Sequence, residues 1–302
     1  MSRVTRCAGR VAAGTIVVAL FAACSTSPVT SPQNPQNPVL TQPQANAVAE
    51  VVATDAASLV DGATLDMATG LPFAVAPMTG APAMAPSSAT CSPTRTPSPV
   101  TNSDGDPVPD SVRVDFTGCT FTGEGHTVTL SGSIDIVDPT PATTDRAFRT
   151  RSNDFKRSET NSATGTTRSV LEDGFRSVVG TPDQIQLTDT MQTDYTYGSG
   201  ATASHVRKWL ATFAADQAGS IQMGSRLPSG NWTVSGSSTF TSGTNNYALS
   251  VTTSAPLHYN PSCSVGPRFD SGKLTTVVTK GTATTTVTIE FTACGQYTVT
   301  RS

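Results

Sequence analysis

A short segment rich in acidic and amide side chains, residues 102–110, has the spacing best suited to metal chemistry. Asn102, Asp104, Asp106 and Asp110 stand at near-alternate positions, and the carbonyl of Val108 falls in the same series. Ca²⁺ takes six to eight oxygen ligands, so a cluster of side-chain and backbone oxygens over so few residues suits that ion. We therefore treat the four side chains as a candidate calcium site.

The segment resembles the calcium loops of thrombospondin type 3 repeats. The resemblance implies five ligands, which are Asn102, Asp104, Asp106, the Val108 carbonyl and Asp110. Pro107 departs from the family, which has Gly there, because a φ fixed near −65° excludes a left-handed turn. Arg113 also stands where a closing carboxylate is expected. The alternative is an ordinary loop shaped by Asx and Pro residues before a strand over 112–121. We favour this alternative and assign no cofactor, with calcium as the competing interpretation.

Three histidines, His126, His205 and His258, could also carry acid–base or metal chemistry. They lie far apart in strand-like sequence, without the His-Glu-x-x-His spacing of a zinc enzyme. The chain has no Gly-x-Ser-x-Gly elbow for a nucleophile and no Gly-rich phosphate loop before a helix. We predict that each histidine is a surface or turn residue and that the protein is not an enzyme. A hydrolase remains a third-ranked hypothesis, because a catalytic carboxylate pair forms only in the fold.

Most of the chain must supply the scaffold for these groups, and its pattern is that of antiparallel β-sheet. Apolar and polar residues alternate over many Thr-rich stretches separated by Gly, Ser, Asn and Asp. These stretches are 112–117, 128–136, 185–191, 232–240, 247–251, 274–278, 283–291 and 297–299. Residues 206–213 fit either a helical face or alternation, and we predict a strand. The fold class is therefore all-β, an antiparallel meander of about 10–12 strands that forms a sandwich or an open or closed barrel.

One charged stretch, residues 145–180, interrupts this pattern with many arginines and several acidic residues. We predict cross-strand ion pairs on a solvated face of the sheet. A basic ligand-binding face is the alternative.

Four cysteines lie in the body of the chain, and in an exported protein they predict two disulfides. Three pairings are possible, but an internal repeat favours one of them. Residues 112–119, Val-Arg-Val-Asp-Phe-Thr-Gly-Cys, match residues 287–294, Val-Thr-Ile-Glu-Phe-Thr-Ala-Cys, and each copy follows another cysteine at a similar distance. We therefore pair Cys91 with Cys119 and Cys263 with Cys294. The strand parity places Cys119 and Cys294 on the polar side of their strands.

Composition divides the rest of the chain. Residues 24–44 contain Ser, Thr, Pro, Gln and Asn almost throughout, which predicts a disordered tether. Residues 45–61 have apolar side chains at helical spacing, which predicts one N-terminal helix packed against the domain rather than a partner-binding or membrane-surface helix. The remainder of 45–110 is a Pro-rich irregular segment, and 111–302 is the β-domain.

Residues 1–23 have the pattern of an export signal peptide, with three arginines in the first ten residues and then an apolar stretch too short to span a bilayer. The stretch ends Leu20-Phe21-Ala22-Ala23-Cys24, which resembles the lipobox of bacterial lipoproteins, with Phe21 where Leu is usual. The resemblance implies cleavage before Cys24 and acylation of that residue. It also implies anchoring to the cell envelope, on the outer membrane where a cell has two, because Ser25 follows. An ordinary secreted protein with an incidental Cys24 is the alternative.

Composition also limits the function. A net charge of −3 excludes a nucleic-acid binder that relies on phosphate contacts, and a single N-terminal apolar run excludes a polytopic membrane protein. The leading hypothesis is a membrane-anchored envelope lipoprotein with a non-enzymatic structural or interaction role and a possible protein partner. The second is a carrier of a lipid or other apolar ligand in a β-barrel or half-barrel. A carrier requires an apolar concave face that is left open by the helix.

Overall fold

The computed structural model describes residues 39–63 and 88–302, except residues 124, 145, 223–224, 244 and 264–265. The predicted signal peptide, the lipid-bearing Cys24, most of the tether and much of the Pro-rich segment lie outside the described residues. The described elements are α1 (Gln42–Ala63), β1 (Ser88–Thr90), β2 (Thr94–Thr96), β3 (Ser111–Asp115), β4 (Cys119–Gly123), β5 (His126–Val137), β6 (Arg146–Asn161), β7 (Thr167–Gly180), β8 (Gln184–Thr196), β9 (Thr202–Ala215), β10 (Gly230–Ser242), β11 (Asn245–Tyr259), β12 (Phe269–Lys280), β13 (Ala283–Ala293) and β14 (Gln296–Arg301).

The strands form one antiparallel sheet in which each strand from β5 to β14 pairs with the next along the chain. β4 pairs with the first half of β5 and β3 with its second half, while β1 and β2 extend this edge. The all-β meander with one helix is therefore confirmed, including the strand predicted over 206–213. The sheet is open rather than closed, which agrees with the open form among the predicted alternatives.

The predicted alternation sorts side chains between the two faces of the sheet. On β9, Trp209, Ala211 and Phe213 are buried, whereas Leu210 between them is exposed. The same alternation is present in β13, where every second residue from Val287 to Phe291 is buried. One face of the sheet therefore carries the core.

The sheet bends strongly, and glycines inside strands permit the bend. Gly132 in β5 has φ +83°, and a Cβ there would lie 2.1 Å from the carbonyl oxygen of Asp154 on β6. Gly272 in β12 has φ +112°, and its Cβ would lie 2.3 Å from the carbonyl oxygen of Pro256. Only a residue without a side chain allows the neighbouring backbone so close, and such positions let a sheet curve.

Helix α1 lies against the buried face and contacts β8, β13 and β14. β8 and β14 are six strands apart in the sheet order, which in a flat sheet is about 29 Å. Glu50 of the helix nevertheless interacts electrostatically both with Tyr197, directly after β8, and with Tyr297 in β14. The sheet must therefore curve around the helix, and its concave face is the one that the helix covers.

Local contacts explain where α1 begins. Thr41 is the N-cap, and its backbone N–H donates to Oε1 of Gln44 at 2.8 Å, as in a capping box. Leu40, before the cap, is fully buried together with Ala45, which fits a hydrophobic staple. Val39 N donates to Oγ1 of Thr285 at 3.0 Å. Residues 39–44 thus belong to the folded body. The predicted tether over 24–44 is therefore too long at its C-terminal end, and only residues 24–38 remain assigned to it.

Both predicted disulfides are present, Cys91–Cys119 and Cys263–Cys294. The predicted side of the strand was wrong for Cys119, which is fully buried. The single strand expected over 112–121 is broken by a turn, in which Cys119 N donates to the carbonyl of Phe116. The turn resets the alternation, so Cys119 shares the buried face with Phe121 in β4.

Candidate functional site

The 102–110 loop is shaped by two of the four side chains that the sequence proposed as calcium ligands. Oδ1 of Asn102 accepts from the backbone N–H of Gly105 at 2.8 Å, and its amide donates to the carbonyl oxygen of Asp106. The carboxylate of Asp110 accepts from the backbone N–H and the hydroxyl of Ser103, each at 2.7 Å. These two hydrogen bonds hold the pKa of Asp110 below its usual value. Asn102 and Asp110 therefore close the loop upon itself.

The other two candidates meet a third carboxylate from elsewhere in the chain. One oxygen each from Asp104, Asp106 and Asp138 lies within 4.8 Å of the other two. Asp106 and Asp138 are buried, with 6% and 3% of their surface exposed, and Asp104 is partly buried. Each carboxylate is oriented through Oδ1, which accepts a backbone N–H from Asp106, Val108 and Thr140 respectively, at 3.1, 2.6 and 2.7 Å.

Sequence reasoning missed Asp138, which stands directly after β5. The pairing of β3 with β5 sets Val112 opposite Ile136. This register places the end of β5 beside the end of the 102–110 loop. There the Asp138 N–H lies 3.2 Å from the carbonyl oxygens of both Pro109 and Asp110. A local spacing rule cannot find a residue 32 positions beyond Asp106, because only strand pairing brings the two together.

A second polar cluster surrounds His258 at the end of β11. Nδ1 of His258 lies 2.7 Å from Oδ1 of Asp270, and Nε2 lies 3.1 Å from Oδ2 of Asp216. The hydroxyl of Ser229 is 3.1 Å from the same Nε2 and 2.6 Å from Oδ2 of Asp216. Burial lowers the pKa of His258, but its hydrogen bonds to the two carboxylates outweigh burial and raise the pKa above 6.5.

The His258 cluster has the residue types of a Ser-His-Asp triad, which the sequence analysis did not foresee. Catalysis by such a triad needs a neutral imidazole whose Nε2 accepts the serine proton. Here Asp216 favours the imidazolium form, in which Nε2 carries a hydrogen, and Asp216 itself accepts from Ser229. In this arrangement the cluster pairs charges and joins three chain segments rather than activating a nucleophile.

The third cluster is buried between α1 and the sheet. Asp55 of the helix accepts from Nη1 of Arg207 at 2.7 Å and lies 2.8 Å from Nδ1 of His205. Asp189 in β8 pairs with the other side of Arg207 and with Arg176 at 2.7 Å. Burial raises the pKa of the Asp189 carboxyl, but the two arginines outweigh burial and keep that pKa below its usual value.

Two predictions about histidines and arginines are corrected by these contacts. His205 is fully buried rather than a surface or turn residue. The expected cross-strand ion pairs do form, but two of them face the interior instead of solvent. Arg176 pairs with the buried Asp189, and Arg168 pairs with Glu159 at 2.9 Å, where Glu159 is 2% exposed. Strand register decides this, because these residues share parity with core positions.

The chain matches no known protein-family model, no curated protein and no solved structure. Within the described residues, no helix combines the length and the apolar character needed to cross a bilayer.

Proposed function

We propose that this protein is a membrane-anchored envelope lipoprotein with a non-enzymatic structural or interaction role. The proposal needs three things: a lipid anchor, a body suited to an oxidising compartment, and a β-domain whose interior is filled by the protein itself. A protein partner in the envelope is part of the proposal.

The lipobox-like sequence ending at Cys24 supports the anchor. The folded body begins by Val39, whose N–H is bonded to Thr285 in β13. Residues 25–38 would then separate the lipid from the body, and a Pro-rich chain of that length reaches roughly 40 Å if extended. Such a spacer would let the domain stand clear of the lipid headgroups while the acyl chains hold it at the membrane.

The two disulfides support export, because disulfides persist in oxidising compartments and are rare in the cytosol. The disulfides are an observation independent of the signal-like sequence at the N-terminus. Both the disulfides and the signal-like sequence favour a folded body on the exported side of the membrane.

Helix α1 fills the concave face of the sheet, and this observation favours an interaction role over the carrier hypothesis. The apolar side chains of α1 that face the sheet are buried in the same core as the sheet residues: Ala45, Val48, Ala49, Val52, Ala53, Ala56, Leu59 and Val60. The helix also places Asp55 against Arg207 and His205. A preformed lipid carrier needs this face open, and a ligand would first have to displace the helix and break these buried ion pairs.

The anchor is tested by expressing Cys24→Ala in a bacterium that lipidates proteins, with Cys7→Ala as the matched control. Cys7 lies in the segment that signal cleavage would remove. We expect the wild type and Cys7→Ala to incorporate radiolabelled palmitate and to sediment with membranes, and Cys24→Ala to do neither. A membrane-bound, labelled Cys24→Ala protein would refute the anchor.

The choice between an interaction role and a carrier is tested by native mass spectrometry of the mature chain from Ser25, exported behind a cleavable signal peptide. We expect the bare chain, lighter only by the hydrogens lost in two disulfides. A co-purified lipid that disappears when a side chain of the concave face is enlarged would favour the carrier.

A further inference from the structure

We propose that Asp104, Asp106 and Asp138 bind one calcium ion, where the 102–110 loop meets the end of β5. The ligand set differs from the one that the sequence suggested, because Asp138 replaces Asn102 and Asp110. The proposal stands independently of the lipid anchor and of the role proposed above.

The distances among the three carboxylates suit one ion. Ca²⁺ binds oxygens at 2.3–2.6 Å, so two ligands on opposite sides of the ion are separated by about 4.6–5.2 Å and adjacent ligands by less. The three oxygens here all lie within 4.8 Å of one another. Their separations are therefore in the range expected for ligands of one ion of this size.

Asp138 provides an independent reason to expect a ligand. Its side chain is almost fully buried, yet Oδ2 has no hydrogen-bond partner while Oδ1 accepts from Thr140 N. Oδ2 of Asp104 is likewise buried without a hydrogen-bond partner. Among the described residues, neither Asp104 nor Asp138 forms an ion pair with a basic side chain. Two such carboxylates close together cost free energy unless a cation compensates them.

The chemistry of the donors selects calcium among divalent cations. All three side chains offer carboxylate oxygens, which are hard ligands, whereas zinc sites are built mainly from Cys and His. Asp106 also lines an open groove, together with Pro107, Thr144, Arg146, Thr181 and Pro182. Water entering through this groove would supply the remaining ligands of the ion. Mg²⁺ demands a stricter octahedral geometry at 2.0–2.1 Å and keeps several waters, so it is usually held by one or two carboxylates rather than by three.

Binding would join two parts of the fold that are now held by few hydrogen bonds. The loop closes on itself through Asn102 and Asp110, and it meets β5 through the Asp138 N–H and the carbonyls of Pro109 and Asp110. An ion held by all three carboxylates would bridge the loop and the strand end directly. We expect the modest affinity of extracellular calcium modules, with Kd on the order of 10⁻⁴–10⁻³ M.

The test compares thermal unfolding of the full mature protein in detergent, after chelator treatment, with and without about 5 mM Ca²⁺. Ca²⁺ should raise the midpoint of the wild type, whereas the same concentration of Mg²⁺ should not. Asp138→Asn keeps the shape of the side chain and should weaken Ca²⁺ binding about tenfold or more. Asp115→Asn on nearby β3 is the matched control and should respond to Ca²⁺ as the wild type does.

The sign of the effect on stability separates a metal site from an ordinary structural role. In chelator, Asp138→Asn should unfold at a higher temperature than the wild type, because one of three adjacent negative charges is gone. In Ca²⁺ the order should reverse. A variant that is less stable than the wild type under both conditions, with unchanged Ca²⁺ affinity, would overturn the proposal.

Two further outcomes decide the identity of the ligands and the ion. Asp110→Asn should keep its Ca²⁺ affinity within about threefold, and a loss as large as that of Asp138→Asn would overturn this ligand set. If Asp138→Asn fails to fold, hydrogen exchange of the wild type replaces it. Ca²⁺ should then slow exchange at residues 102–110 and 138–140, and unchanged exchange there, or equal protection by Mg²⁺, would refute the calcium site.

Discussion

Replacing Asp55 with alanine tests whether buried charges hold α1 in the concave face. Asp55 exposes 1% of its surface and contacts both Arg207 and His205 within 2.8 Å. The network of charges around Arg207 also includes Glu172, which lies 4.0 Å from Arg176.

In Asp55→Ala the network loses one of its three carboxylates, and Arg207 stays buried in contact with Asp189. Removing one member of a buried ion pair lowers the free energy of unfolding by about 3–5 kcal/mol. Because Arg207 keeps Asp189 as a partner, we expect a loss at the lower end of this range, about 3 kcal/mol.

That loss corresponds to a change of about a hundredfold in the equilibrium constant for unfolding. Urea unfolding with both disulfides intact can be followed by the fluorescence of Trp209 and Trp232, which are each 1% exposed. With an m-value of about 3 kcal/mol/M, the midpoint of Asp55→Ala should fall by about 1 M. Asp173→Ala removes an exposed carboxylate from β7 and should shift the midpoint by about 0.2 M or less.

A midpoint for Asp55→Ala equal to that of Asp173→Ala would refute this reasoning. It would mean that the buried ion pairs do not hold the helix against the sheet. The concave face could then open at little cost, and the carrier hypothesis would regain its main requirement.

Three further predictions concern His258, the second disulfide and Ser229. Because the folded-state pKa of His258 is raised, its contribution to stability should be complete below pH 6.5 and be lost as the pH rises through the folded value; an NMR titration should show this pKa falling in Asp216→Asn, and an unchanged pKa would contradict the contact. Replacing Cys263 and Cys294 together by serine opens a loop of 31 residues and should cost about 3.5 kcal/mol in urea unfolding, whereas a loss below about 1 kcal/mol would contradict the chain-entropy argument. A fluorophosphonate probe should leave Ser229 unlabelled at pH 7, and labelling that Ser229→Ala abolishes would revive the hydrolase hypothesis.

The sequence by itself determined the local features of the fold. Alternation identified the strands because a half-buried strand has a period of two, and this holds on β9 even where Trp209 and Phe213 also fit a helix. The repeated octapeptide was enough to choose the cysteine pairing. The helix was predicted from its apolar face, but its start was placed three residues late, because the capping contacts of Thr41 lie within a segment of tether-like composition.

Only the tertiary structure decided which polar side chains meet. Asp138 joins Asp104 and Asp106 because β3 pairs with β5, and Asp55 reaches Arg207 because the sheet curves around the helix. Hydrophobic periodicity reports which face of an element is buried, but it does not report the register between strands that are distant in the sequence. Charged residues on a buried face break the apolar pattern and find their partners across that register. The contacts that bear on function are therefore the ones that a single sequence could not specify.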